Sequence, residues 1–484
     1  MNTADMKWLK SDCLIDGKWV AADDGARFAV RNPATGEEIA QVARAGAAET
    51  RRAIAAAQRA LPAWKKRTAD ERSEILRRWY ELMIANQDEL GRLMTMEQGK
   101  PLAEAKGEIV YAASFVQWYA EEARRVYGEI LPSPWPTRRI LVTREPVGVC
   151  AAVTPWNFPA AMITRKVAPA LAAGCTEVIK PASQTPLSAL ALGALAIEAG
   201  IPPGVLNIVT GSAGAIGGEL TANPTVRKLS FTGSTEIGRV LAGQSAATLK
   251  KLSLELGGNA PFIVFEDADI DAAVQGAIAS KYRNTGQTCV CVNRILVHEK
   301  VHDAFAAALA TAVRGLKVGN GLGEGVQQGP LIDDKALAKV EELVADAVGK
   351  GGAIVAGGKR HALGGTFYEP TVIANATPEM KISNEEVFGP VAPLYKFRDD
   401  AEAIALANAT EYGLASYLYT RDLGRAFRAS EALEYGMVGV NTGIISTAVA
   451  PFGGVKQSGY GREGARHGLE EYVHLKYTCM DLGG

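Results

Sequence analysis

The sequence predicts an α/β protein with two open, mostly parallel sheets covered by helices. Three observations lead there. The chain has 484 residues, more than a single hydrophobic core accommodates, so two or three domains are expected. Over 149–256, short apolar runs alternate with helical stretches across connections of a few residues, which is the rhythm of a parallel sheet. The same rhythm resumes after Gly257.

Composition narrows the function classes. The chain is 48% hydrophobic and 22% charged with a net charge of -1, so nothing points to nucleic acid or an anionic membrane as partner. No apolar run approaches the ~18 residues that span a bilayer. Residues 1–10 are polar and mixed in charge, unlike a secretory or transit signal. The six cysteines are scattered and make no disulfide framework or C-x-x-C pair, so a reducing cytoplasm is expected. His298 and His302 lie four apart, but no second ligand pair accompanies them, and no metal is expected.

The elements follow in order. Segments 14–20 and 27–30 read as short strands, the first turning at Gly17. Thr68-Ala69-Asp70-Glu71 is a capping box. Behind it Ile75, Leu76, Trp79, Leu82, Met83 and Leu90 recur at helical spacing toward a stop at Gly99. Pro132, Pro134 and Pro136 end the helical section, and 138–143 reads as an extended ribbon. Strands are expected at 149–154, 176–180, 205–210, 228–232 and 251–255, with helices between them. Sheets of this kind bind ligands at the carboxyl ends of their strands. Thr154 to Asn157, Lys180, Gly211, Gly233-Ser234 and Glu255 all lie there. In the second region a strand is expected at 261–265 and helices at 269–283, 303–316, 336–348 and 399–408. A short strand lies within the loop 351–358. The tail 471–479 alternates like an edge strand in need of a partner.

Four motifs carry chemistry. Arg283-Asn284-Thr285-Gly286-Gln287-Thr288-Cys289-Val290-Cys291 sets two thiols one residue apart. A thiolate is the best nucleophile among ordinary side chains at neutral pH, although small buried cysteines also simply fill cores. Leu254-Glu255-Leu256-Gly257-Gly258-Asn259 puts a carboxylate at an apolar strand end, fit for a general base or for a structural ion pair. Thr154-Pro155-Trp156-Asn157-Phe158-Pro159 holds an amide between two prolines, an oxyanion donor or a turn residue. Phe231-Thr232-Gly233-Ser234-Thr235-Glu236-Ile237-Gly238 is a strand, a small-residue turn and a helix start, able to hold a phosphate, though it is not the G-x-G-x-x-G fingerprint.

These motifs, with Glu385-Glu386-Val387-Phe388-Gly389-Pro390 and Pro451-Phe452-Gly453-Gly454-Val455-Lys456, follow one another as in the NAD(P)-dependent aldehyde dehydrogenase superfamily. The resemblance covers essentially the whole chain. Within the family it looks most like the bacterial succinate-semialdehyde dehydrogenases, on 160–166, 283–291 and Asn441-Thr442-Gly443-Ile444-Ile445-Ser446. The resemblance implies the aldehyde dehydrogenase fold. That fold has a nucleotide-binding domain (1–130 and 149–256), a catalytic domain (257–465) and a small oligomerisation β-arm (131–148 and 466–484). It implies Cys289 as nucleophile, Asn157 and the Cys289 N–H as oxyanion donors, and Glu255 as the base that activates water. Lys166 joins the catalytic set on a proton route. Thr154, Pro155, Trp156, Lys180, Ser183, Gly233, Ser234, Leu256, Glu386 and Phe388 would meet the cofactor.

Further expectations follow from the resemblance. NAD-preferring relatives often carry Glu at the position of Ser183. Without that carboxylate, and with Lys180 nearby, NADP is the expected cofactor and NAD the weaker one. Arg165, Arg283 and Ser446 match positions that clamp a substrate carboxylate, so the expected substrate is succinate semialdehyde. Glutarate semialdehyde is the alternative, and a thiol hydrolase or acyltransferase is a further one. Cys291 is either a packing residue or a thiol that resolves oxidised Cys289. A homo-oligomer, a tetramer built of dimers, is expected.

Overall fold

The computed structural model describes residues 6–483; the first five residues, part of the polar N-terminus discussed above, and Gly484 lie outside them. The apolar strands Leu206–Ile208, Thr176–Lys180, Val149–Val153, Val226–Thr232 and Lys251–Glu255 pair in parallel in that spatial order. The chain order reverses between Val149–Val153 and Val226–Thr232. That reversal opens a crevice at their carboxyl ends, where such sheets bind ligands. The hairpin Cys13–Ile15 and Lys18–Val20 closes one edge, turning through Asp16 and Gly17, both at positive φ.

The other edge alters the expected division of the chain. Gly459–Tyr460 pairs antiparallel with Lys251–Glu255, so a segment assigned above to the catalytic domain returns to the first sheet. Gly459 makes this possible: its φ is 106°, and a Cβ there would lie 1.9 Å from the Leu254 carbonyl oxygen.

Helices wrap this sheet. Ala161–Ala173 is buried along its whole length and packs on Leu102–Glu122. The capping box forms as expected: the Glu71 N–H donates to Thr68 Oγ1 at 3.2 Å, and the Thr68 N–H donates to Glu71 Oε2 at 2.7 Å. A cap of this kind contributes about 1 kcal/mol. The helical run beyond it is two helices, Ala69–Ala85 and Gln87–Gln98, broken at Asn86, whose side chain donates back to the Leu82 carbonyl at 2.8 Å.

A second sheet runs Ala353–Ala356, Thr371–Ala374, Val391–Phe397, Val292–His298, Ala260–Val264, Ala415–Tyr419, Met437–Val440, parallel except at its first edge. The expected helix 303–316 begins earlier, as Glu299–Arg314, because His298 Nδ1 accepts from the Lys300 N–H and caps it. The expected helix 269–283 stops at Lys281.

Outside both sheets, Val473–Asp481 pairs with Arg138–Pro146 over nine residues, and Glu129–Leu131 lies on the far side. The ribbon and the tail that read as unpartnered strands are partners of each other. No helix is long and apolar enough to cross a membrane among the described residues.

Candidate active site

The chain from Lys281 to Val292 is shaped by backbone strain. Asn284 and Thr285 both adopt left-handed conformations (φ 50° and 57°), followed by Gly286 at 76°. Each such non-glycine residue costs on the order of 1–3 kcal/mol, so it persists only where its surroundings over-determine it. Here they do. The Asn284 N–H donates to Glu104 Oε2 at 2.8 Å, and its side chain donates to the Asn157 carbonyl at 3.0 Å. Thr285 Oγ1 exchanges hydrogen bonds with the backbone of Gly329. Gly286 lies against the Gly389 carbonyl, where a Cβ would come within 2.1 Å. The loop thus presents Cys289 between two cavities.

The first cavity, about 250 Å³, lies in the crevice of the nucleotide-type sheet. Pro155, Trp156, Asn157, Thr232, Gly233, Ser234, Leu256, Glu386, Phe388 and Cys289 line it. Trp156 meets Phe388 edge-on, ring centroids 5.5 Å apart. Ser234 caps the eleven-residue helix Thr235–Ser245, whose N-terminal N–H groups suit a phosphate. Gly233 has no room for a side chain, because a Cβ would come within 2.4 Å of the Phe231 ring. Burial pushes the Glu386 carboxyl up to about 8. Lys180 lies at the end of the neighbouring strand with its amine on the Pro181 carbonyl at 2.8 Å, and burial lowers its pKa to about 8. Thr154, Lys180 and Ser183 stand outside the cavity proper, Thr154 with a buried hydroxyl that has no partner. A crevice, a helix N-terminus, a cramped glycine and a buried amine together fit a dinucleotide.

The second cavity, about 510 Å³ and open to solvent, lies on the other side of Cys289. Tyr111, Phe158, Arg283 and Ser446 line it, and it narrows to a constriction reached by Arg165, Met162, Phe452 and Cys289. Arg283 lies 4.8 Å from the Phe158 ring centroid and makes no ion pair among the described residues. Arg165 is buried, 3.9 Å from the Phe452 ring centroid; its Nε faces Glu463 at 2.8 Å, and its Nη2 has no partner.

Asn157 lines the first cavity, its side-chain amide donating to the Gln287 carbonyl at 3.0 Å. Glu255 is buried, and neither carboxylate oxygen has a partner. Burial, and after it Glu463, raises its pKa well above the carboxylate range. Lys166 lies one layer deeper than expected. It is fully buried, donates to Thr232 Oγ1 at 2.6 Å and pairs with Glu463, and so touches the cofactor cavity only through Thr232. The two neighbouring thiols face different surroundings. Cys289 opens on both cavities, whereas the Cys291 sulfur lies 3.3 Å from the Lys281 carbonyl oxygen in the core. Both are free, and joining them would require the turn at 288–291 to rearrange.

The aldehyde dehydrogenase family model matches residues 19–478. The chain is 63% identical over 484 residues to a glutarate-semialdehyde dehydrogenase of Pseudomonas aeruginosa, covering 100% of both chains. It is 61% identical over 482 residues to the NADP(+) succinate-semialdehyde dehydrogenase of Escherichia coli, again covering 100% of both. The crystal structure of succinate-semialdehyde dehydrogenase from Burkholderia pseudomallei superposes with a TM-score of 0.98 at 61% identity, over 99% of this chain and 100% of that one.

The chain belongs to the aldehyde dehydrogenase family.

Several residues of this aldehyde dehydrogenase site escaped the sequence. Glu463 holds Arg165 and Lys166 at once, from 297 residues beyond Lys166. The Tyr111 hydroxyl is buried without a partner in the wall of the substrate-side cavity. Lys100, Glu104 and Glu108 are spaced by four, and that spacing of charges was the available signal.

Burial pushes the Cys289 thiol up to about 12 even though Arg165 works in the opposite direction. The thiolate is the reactive form, and its small fraction rises about tenfold per pH unit below the pKa, so reactivity should climb with pH in the free enzyme. Inactivation by iodoacetamide should accelerate about tenfold per pH unit between about pH 7 and 10, without a plateau. A rate that levels off near pH 8 would mean that the resting thiol is already activated.

Proposed function

We propose that this aldehyde dehydrogenase oxidises succinate semialdehyde to succinate with NADP as preferred cofactor and NAD as the weaker one. One observation carries the choice of substrate. Beside Cys289 and beyond the aldehyde position, Arg283 has no ion-pair partner among the described residues, Arg165 has a free Nη2, and Ser446 lines the same space. One cation without an ion-pair partner and a second with a free donor, both beside the constriction, suit a carboxylate one short chain away from the aldehyde.

Cys289 adds to the aldehyde carbon and gives a thiohemiacetal. The developing oxyanion is held by the Asn157 amide and the Cys289 N–H, donors that stabilise charge without losing a proton. Trp156, Ser234, Glu386 and Phe388 would hold the cofactor in the crevice, with Lys180 at the end of the neighbouring strand, and the bound cofactor would supply the hydride acceptor. Oxidation leaves a thioester on Cys289. Glu255 takes a proton from water, the hydroxide adds to the thioester carbon, and the cysteine sulfur leaves as the acid forms. In its buried position Glu255 favours the protonated form, and it acts as the base once ionised.

Glutarate semialdehyde is the second reading, favoured by the Pseudomonas aeruginosa relative and by a cavity wide enough for one more methylene. Rates for four- and five-carbon semialdehydes and an uncharged aldehyde, each with both cofactors, separate the two. Arg283→Ala should raise KM for succinate semialdehyde about 10- to 100-fold, the loss of a charge-assisted contact, and should leave the uncharged aldehyde nearly unaffected. Equal harm to both would remove Arg283 from the clamp.

Cofactor choice should depend on pH. Lys180 is protonated below about 8 and neutral above it, so its attraction for a 2′-phosphate is present near neutrality and fades as pH rises. The ratio of NADP to NAD efficiency should fall several-fold between about pH 7 and 9, and Ser183→Glu should move preference toward NAD. A ratio that ignores both changes would exclude this pair as the discriminator.

The three-stranded arm exposes Ile130, Leu475 and Tyr477 at 79%, 65% and 59%. Apolar side chains on a small open sheet favour a second copy of the chain as cover, with two dimers forming a tetramer. Light scattering at micromolar concentration should give a dimer or larger, and a monomer would overturn this. The free cysteines and the lack of a membrane-crossing helix among the described residues fit a cytoplasmic setting.

A further inference from the structure

The peptide carbonyl of Asn157 is held from an unexpected direction. Glu104 and Glu108 lie one turn apart on one face of the helix Leu102–Glu122, and Lys100 lies in the segment just before it. Lys100 is 1% exposed and Glu108 is 2% exposed. The Lys100 amine donates to Glu108 Oε2 at 2.5 Å and to the Asn157 carbonyl at 2.7 Å, and it sits 4.0 Å from the Phe158 ring centroid. Glu108 uses its other oxygen to accept from the N–H groups of Ala160 at 2.9 Å and Ala161 at 3.2 Å. The ion pair therefore grips the segment 157–161 at both ends.

We propose that the buried Lys100–Glu108 pair is the positioning device for the oxyanion donor, fixing the Asn157 amide relative to Cys289.

Three lines support this. Chemically, burying two charges is costly, and apolar side chains of the same volume usually serve stability as well or better. A pair kept here in spite of that cost fits a demand for geometry. Geometrically, the Asn157 carbonyl accepts from both Lys100 and Asn284, while its side chain donates to Gln287. Asn284 and Gln287 belong to the loop that carries Cys289, and Glu104 accepts from the Asn284 N–H. The start of this helix and the residue before it thus hold donor and nucleophile loop together. Kinetically, a displacement of about 1 Å in a reacting group can cost about 100-fold in rate. An oxyanion donor that swings with its own backbone falls in that regime.

The proposal rests on Asn157 being the oxyanion donor, and the test separates the two. Lys100 lines neither cavity, whereas Glu108 lines the outer part of the substrate-side cavity but not the constriction beside Cys289, so Lys100 acts through Asn157 as a positioning residue and the test rests on it. Lys100→Met should lower kcat for aldehyde oxidation about 10- to 100-fold while changing KM for the aldehyde by less than about threefold. Asn157→Ala alone should cost about 100-fold or more. In the Asn157→Ala background, Lys100→Met should cost less than about threefold further, because the group it positions is gone. Full multiplication of the two losses would mean that Lys100 supports the fold and not the donor. A kcat for Lys100→Met within threefold of the parent would also overturn the proposal. If Asn157→Ala stays close to the parent, the oxyanion assignment fails and the proposal falls with it.

Lys100→Met/Glu108→Gln guards against misfolding. The glutamine oxygen still accepts from Ala160 and Ala161, and no unpaired charge stays buried. Its melting temperature should match the parent while its kcat remains as low as that of Lys100→Met. Recovery of kcat in this neutral double variant would show that the ammonium does not hold Asn157.

Discussion

The active site depends on a carbonyl shared between two sheets. Asn157 leaves the carboxyl end of Val149–Val153 in the first sheet, whereas Cys289 stands before Val292–His298 in the second. No single helix or strand carries both. Their separation is set by hydrogen bonds that cross the junction: Asn284 to the Asn157 carbonyl, and the Asn157 amide to Gln287. The strain of the left-handed pair Asn284 and Thr285 is tolerated because these bonds exist. Without them the loop could relax to ordinary backbone angles and carry Cys289 away.

Charge beneath the site follows from the same crowding. Arg165 and Lys166 are consecutive, both buried, and both face Glu463. One carboxylate therefore serves two cations. Burial opposes the charge on Glu463, but Lys166 and Arg165 outweigh it and keep its pKa below the ordinary carboxylate value. Glu255, close enough to feel Glu463, is driven the other way. Two carboxyls in one buried region thus divide into a fixed anion and a proton-holding neighbour, the separation that acid and base roles require. The surplus cation leaves the constriction favourable to negative charge, whether on the Cys289 sulfur or on a substrate.

Much of this was legible in the chain. The alternation of apolar runs and helices located the first sheet and placed Thr154, Lys180, Gly233 and Glu255 at strand ends. The capping box at Thr68 is a local interaction and reads locally. What escaped was non-local or decided by a single side chain. Glu463 gives no sign of its partners because they lie almost 300 residues away in sequence. Gly459 joins the first sheet through contacts that only its missing side chain permits. The breaks at Asn86 and before Glu299 were set by side-chain caps that hydrophobic periodicity does not register. The positions of Lys166 and Cys291 needed coordinates for a related reason. Each is adjacent in sequence to a residue that faces a cavity, and each points into the core instead.

In the proposed reading the enzyme meets two anions and treats them differently. A carboxylate is planar, and an arginine fork matches it with two parallel donors. The contact of Arg283 with Phe158 holds the guanidinium plane without an opposing carboxylate among the described residues. The 2′-phosphate of a cofactor is bulky and presents oxygens in several directions, and a point charge on a flexible stem serves it. That is Lys180, whose buried amine titrates within the working range. Discrimination between the cofactors is therefore open to pH. Both cations lack a carboxylate partner, but guanidinium is hard to deprotonate by desolvation, and an ammonium is not.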